Sequence, residues 1–178
     1  MAQERPCFRD AAPADAAALA RFARAAFDAA FGILYAPRDL AAFFAAERSE
    51  QRYAAQLADP AVRVRLAERD GAICAYALIV LGKGFAERPE PQPARPVQLS
   101  QLYCAGDATG LGLGTALLDW SMAQARGWGG DAVQLSVYSG NHGAQRFYRR
   151  HGFAHVADIH FQVGAQRDEE FLYERKLP

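Results

Sequence analysis

The spacing of apolar and polar positions changes several times along this chain, and each change marks an element. Residues 7–9 can form a short first strand. Pro13 and Asp15 open a helix in which Leu19, Phe22, Ala26 and Ala30 are spaced for one apolar face. Pro37 starts a second helix through Leu40, Phe43 and Phe44. A third covers residues 50–57, until Asp59-Pro60 stops it. Val62, Val64 and Leu66 then alternate with Arg63 and Arg65, the pattern of a half-buried strand. Asp70-Gly71 is a two-residue hairpin signal, and the return strand, residues 73–81, is apolar nearly throughout.

Pro89, Pro91, Pro93 and Pro96 crowd the next stretch, which reads as an extended, mobile loop inside the domain. A strand over residues 97–104 follows, then a glycine-rich turn and a helix from about Leu113 to Arg126. Val133, Leu135 and Val137 alternate as another strand. Asn141 starts a helix that ends near Gly152, and strands over 153–161 and 170–176 close the chain. The order is β, helices, ββ, β, α, β, α, ββ. That is a mixed α/β chain of the α+β type, with an antiparallel beginning joined to a β-α-β-α half.

Composition narrows the function. The 178 residues fit one domain, 1–178, and their 51% hydrophobic content suits a globular core. Twenty basic and twenty acidic side chains cancel, which disfavours a nucleic-acid or anionic-membrane partner. Cys7, Cys74 and Cys104 show neither disulfide-framework nor zinc spacing, and free thiols suit a reducing compartment. His142, His151, His155 and His160 have no third ligand at metal spacing, so no metal is expected. With no long apolar run and no apolar leader at the N-terminus, the expected location is the cytoplasm.

The most informative stretch runs through Thr109, Gly110, Leu111, Gly112, Leu113, Gly114 and Thr115. Alternating glycines between a strand and a helix let successive N–H groups converge, next to the positive end of a helix dipole. Spacing alone leaves two readings: a phosphate cradle, or a tight turn with glycines for packing. A P-loop would need GK[ST], and Gly114 is followed by Thr115. A dinucleotide fingerprint would need glycine where Thr115 stands.

A second segment, from Asn141 through Phe147-Tyr148 to Gly152-Phe153, reads NxxAxxFYxxxGF. Together with the strand Leu99-Ser-Gln-Leu-Tyr-Cys104 and the glycine turn, it resembles the GCN5-related N-acetyltransferases, in that family's order and spacing. The resemblance covers nearly the whole chain and looks most like the PaiA-type polyamine acetyltransferases. It implies a mixed, mostly antiparallel sheet of six or seven strands flanked by helices. Two parallel strands, ending at Cys104 and Val137, would splay apart to admit acetyl-CoA.

By motif position, residues 109–115 would hold the cofactor's pyrophosphate through backbone amides. Leu102, Tyr103 and Cys104 would pair with its pantetheine arm, and Asn141 would contact that arm. Tyr148 would lie near the sulfur as general acid, and an N–H of the Tyr103–Cys104 region would face the developing oxyanion. Spacing alone also allows Tyr148 to be a packed aromatic, and it reads Cys104 as a small buried residue and not a nucleophile.

Two departures bear on the substrate. Thr109 stands where the family's turn begins with Gln or Arg, so one phosphate contact is missing. Many relatives carry Glu at the position of Gln98, and PaiA-type members tend to have a second acid near Ser100. Here both are neutral, leaving Gln98 as a position that could hold a proton-relaying water. An alkylamine with a pKa of about 10.4 is neutral at pH 7 about once in 2,500 molecules, an α-amino group far more often. The expected acceptor is therefore a small amine or a protein N-terminus and not a polyamine. Asp28, Tyr35 and Glu47 fall in the helical region that lines the acceptor site in relatives. A homodimer would be ordinary for the family, although no residue pattern marks an interface. A non-catalytic acyl-CoA-binding or sensing domain is the alternative, and Tyr148 speaks against it.

Overall fold

A computed structural model describes residues 6–178. The first five residues of the N-terminal stretch read above for a leader lie outside it. The elements are β1 (Cys7–Asp10), α1 (Ala16–Phe31), α2 (Pro37–Glu47), α3 (Glu50–Ala58), β2 (Val62–Arg69), β3 (Ala72–Leu81), β4 (Pro96–Cys104), α4 (Leu113–Trp128), β5 (Ala132–Tyr138), α5 (His142–Arg150), β6 (Ala154–Val163) and β7 (Gln166–Lys176). The strands form one sheet in the order β1-β2-β3-β4-β5-β7-β6, with β4 and β5 its parallel pair.

Local chemistry accounts for the boundaries. Asp70 and Gly71 both take positive φ, 53° and 74°, as the tight hairpin between β2 and β3 requires. The Ser49 hydroxyl accepts from Arg52 N at 3.1 Å and starts α3. Asn141 Oδ1 accepts from Ala144 N at 3.0 Å and starts α5. Gly152, at φ 80°, lets the chain leave that helix.

β3 is apolar nearly throughout because both of its faces are buried. Ala75, Ala77 and Ile79 pack toward α4, while Tyr76 and Leu78 pack toward α1 and α3. A third apolar group, Phe27, Tyr35, Phe43 and Val163, joins α1 and α2 to the β6–β7 hairpin.

Three expectations change. The buried stripe of α1 is Leu19, Ala23 and Phe27, with Ala16 and Ala20 beside it; Phe22 is half-buried and Ala30 exposed. An Ala- and Phe-rich helix offers more than one apolar stripe, so spacing alone does not select the buried one. β7 begins at Gln166, four residues before the apolar pattern suggested, paired with β6 from Val163 onward.

The proline-rich segment is also tethered. Arg88 donates to both carboxylate oxygens of Glu174, at 2.9 and 2.8 Å. Asp131 accepts from the backbone N–H groups of Ala94 and Arg95, at 2.7 and 3.0 Å. This segment leads into the start of β4, about 25 Å of extended strand away from Cys104.

Candidate active site

β4 and β5 pair only at Pro96, Val97 and Gln98, opposite Ala132, Val133 and Gln134. Beyond that point they separate. The register of β4 against β3 shifts between Leu99 and Gln101, so Ser100 is an extra residue that bends β4 away. β5 instead continues along β7 as far as Tyr138 opposite Glu170. The divergence opens a cleft of about 300 Å³ toward the C-terminal ends of both strands. Its floor includes Leu102, Tyr103 and Cys104 from β4 and Ser136 and Val137 from β5.

At one end of the cleft stands the glycine turn, with Thr109 in the lining. Gly110 and Gly112 have φ of 82° and 77°, and a Cβ at either would point into open space. Among the described residues, none of the N–H groups of residues 110–115 donates a hydrogen bond, and no side chain caps α4. The first intrahelical bond of α4 is Ala116 N to Gly112 O, at 3.0 Å. Unpaired amides at the start of a sixteen-residue helix, without side-chain cover, form a cradle suited to a phosphate group.

Tyr148, on α5, reaches the same cleft, with its ring packed against Phe153 at 5.7 Å. The phenol is 8% exposed, and burial pushes its pKa up, so it stays protonated at neutral pH. Burial also pushes the Cys104 thiol up to about 11, which leaves it a neutral, unreactive lining group. Asn141 lines the cleft too, its side-chain oxygen committed to capping α5.

The opposite end of the cleft is aromatic, with Phe27, Phe31, Tyr35, Tyr138 and Phe161 in its lining. Tyr35 donates to Asp168 Oδ2 at 2.5 Å, and Gln166 Nε2 donates to Asp168 Oδ1 at 2.8 Å, so that buried carboxylate is satisfied without a cation. Among the described residues, the lining holds one cation, Arg48, and one anion, Glu170. Burial raises the Glu170 pKa, the Ser136 hydroxyl works against that, and the nearby Asp168 adds to it.

The fold thus brings Leu102, Tyr103, Cys104, Thr109, Asn141 and Tyr148 to one cleft, with the glycine turn at its mouth. Gln98 stands at the last paired position, outside the lining, and its buried Oε1 has no hydrogen-bond partner. Of the three acceptor-side residues, Tyr35 lines the cleft. Asp28 and Glu47 are exposed and lie outside the lining. Sequence reasoning missed Arg48 and Glu170. Period-2 spacing of Asp168, Glu170, Leu172 and Glu174 was a signal for Glu170, concealed by placing the strand's start there. The proline-rich segment contributes no residue to the lining. No group of three or more His, Cys, Asp or Glu among the described residues is arranged to hold a metal, and no helix among them is long and apolar enough to cross a membrane.

Comparison with known proteins gives a consistent result. The model of the acetyltransferase (GNAT) family matches residues 22–153. An uncharacterized N-acetyltransferase of Mycobacterium tuberculosis is 34% identical over 163 residues, covering 92% of this chain and 98% of the relative. Among solved structures, the PaiA N-acetyltransferase of Thermoplasma acidophilum in complex with coenzyme A superposes with a TM-score of 0.77 at 17% identity, covering 98% of this chain and 100% of that one. Arabidopsis thaliana NAA60 in complex with a bisubstrate analogue superposes with a TM-score of 0.70 at 18% identity, covering 97% and 98%.

Proposed function

The chain belongs to the GNAT family of acetyltransferases, and from that premise we propose that residues 1–178 form one domain that transfers an acetyl group from acetyl-CoA to a primary amine. A small amine or an N-terminus is favoured over a polyamine. The observation that carries this reading is the cleft itself. It joins an open amide cradle, a stretch of β4 free of β5, and a protonated tyrosine.

The residues fit coenzyme A. The amides of Gly110, Leu111, Gly112, Leu113, Gly114 and Thr115 hold the pyrophosphate, with the Thr109 hydroxyl beside them. The exposed edge of β4 at Leu102, Tyr103 and Cys104 pairs with the pantetheine amides as an added strand would, and Asn141 contacts the same arm. When bound, the cofactor supplies an activated acetyl thioester. The chain's contribution is to hold the acceptor nitrogen against it and exclude water. A backbone N–H near Tyr103 and Cys104 faces the oxygen that gains charge. Tyr148 gives its proton to the departing sulfur, and its raised pKa keeps that proton available across the neutral range. The buried, partnerless Oε1 of Gln98 suits a held water at the closed end of the gap.

The test is acetyl-CoA-dependent thiol release against spermidine, a lysine peptide, N-terminal peptides and weakly basic small amines, with wild type and Tyr148→Phe. Release that requires an amine and falls by about 10²- to 10⁴-fold in the variant supports the reading. Saturable acetyl-CoA binding with no release on any amine points instead to a sensing domain.

A further inference from the structure

Arg48 sits just beyond the end of α2 and is 9% exposed, yet no carboxylate among the described residues pairs with it. Its guanidinium lies over the rings of Phe27 and Phe43, 5.7 and 5.1 Å from their centroids. Nη1 donates to Glu47 O at 3.1 Å, whereas Nε is buried with no partner. A guanidinium cannot shed its charge at any ordinary pH. A buried cation with free donors and no counter-ion is costly unless an anion joins it.

Beside it in the lining is Gln101, 4% exposed. The Tyr53 and Tyr76 hydroxyls both donate to Gln101 Oε1, at 2.8 and 2.6 Å. That fixes the oxygen toward the protein and leaves the NH₂ end without a protein acceptor. Two sets of unspent donors, one of them cationic, therefore line the acceptor half of the cleft. Glu170, supplied by β7, lines it as well. The two charges match an ammonium and a carboxylate on one molecule.

We propose that the acceptor is a zwitterionic amine of the α-amino acid type, its carboxylate held by Arg48 and Gln101 and its ammonium directed toward Glu170. This rests on the acetyltransferase reading above. Phe31, Tyr138 and Phe161 leave an apolar place for the acceptor's side chain. The Glu170 carboxylate takes one proton from the ammonium, and the freed nitrogen pair forms the C–N bond as the thioester C–S bond breaks. The nitrogen gives up two protons in all. One returns to Tyr148 to replace the proton it passes to sulfur, and the other leaves to solvent through Glu170. A polyamine meets the Arg48 charge instead of a complement.

Thiol release with acetyl-CoA is measured for matched sets of three acceptors: an apolar or aromatic α-amino acid, its methyl ester and its decarboxylated amine, with spermidine alongside. In the wild type, kcat/KM for the amino acid exceeds the others by on the order of 100-fold. Arg48→Gln brings that ratio to within a few fold of one, chiefly through KM, and Arg48→Lys restores part of it. The wild-type ratios stand even if an Arg48 variant fails to fold. A decarboxylated amine, ester or spermidine that reacts as well as the amino acid overturns the zwitterion and leaves the acetyltransferase standing. A ratio unchanged in a folded Arg48→Gln overturns the role of Arg48. No release from any of these four acceptors overturns the amino-acid acceptor, and release from an N-terminal or lysine peptide then keeps the acetyltransferase reading. Silence on the peptides as well overturns both.

Discussion

Arg88 grips Glu174 with two donors, Nε at 2.9 Å and Nη2 at 2.8 Å, and Gln134 Nε2 adds a third at 2.8 Å. Glu174 is 5% exposed and lies near the end of β7, so this contact ties the proline-rich segment to the sheet at the end away from the cleft. Gln134 completes the tie by accepting from Phe85 N at 3.0 Å.

Removing the cation leaves that carboxylate buried and under-compensated. Arg88→Ala is expected to lower stability by on the order of 3 kcal/mol at pH 7, read by urea denaturation. Burial alone would raise the Glu174 pKa, but donation from Arg88 and Gln134 outweighs it and the value falls below the ordinary 4.5. The stabilisation is therefore present above pH 4.5 and lost as pH falls through the lowered value. The gap between wild type and variant should narrow in acid. A gap independent of pH would show that the ion pair is not its source.

Gly112→Ala puts a Cβ on a residue with φ 77°, a conformation that costs an L-residue about 1–2 kcal/mol. The added methyl meets open space, so the penalty is backbone strain and not a clash. Relief of that strain would turn amides of the cradle away from the phosphates. The acetyl-CoA KM should rise by about tenfold with the acceptor KM unchanged, and calorimetry with coenzyme A should show the same loss.

Tyr148→Phe keeps the ring that packs on Phe153 and removes only the hydroxyl. Thermal stability should stay near wild type while kcat falls by about 10²- to 10⁴-fold. Coenzyme A affinity should hold. A kcat unchanged in the variant would instead mark Tyr148 as a packing residue.

Glu170→Gln separates stability from activity. Burial, the largest cause, raises the Glu170 pKa above 4.5, so its contribution to stability is fullest below 4.5 and is lost as pH rises through the raised value. The glutamine variant should therefore melt higher than wild type at pH 8, with no such advantage at pH 4. Its kcat/KM should fall, and the acidic limb of the pH–rate profile should move up toward the pKa of the free amine. An unchanged profile would remove Glu170 from proton transfer.

Most elements were legible in the sequence because their signals are local. Asp70-Gly71 turns the chain whatever surrounds it, Asn141 caps its own helix, and β2 alternates within eight residues. The glycine turn and the NxxAxxFYxxxGF segment marked the family for the same reason: each motif is a short run whose function lies largely in its own backbone. α1 was the exception, since alanine and phenylalanine on several sides leave its buried face to whichever sheet it meets.

Tertiary structure decided how the cleft is charged. Arg48 and Glu170 lie far apart in the chain, on α2's end and on β7, and neither belongs to a motif. They share a cleft because β4 leaves β5 after Gln98 while β7 stays paired with β5 as far as Tyr138. Sequence specified a cofactor-binding shape through local backbone chemistry. The character of the acceptor site depends on burial and on which distant side chains converge, quantities that exist only once the sheet has formed.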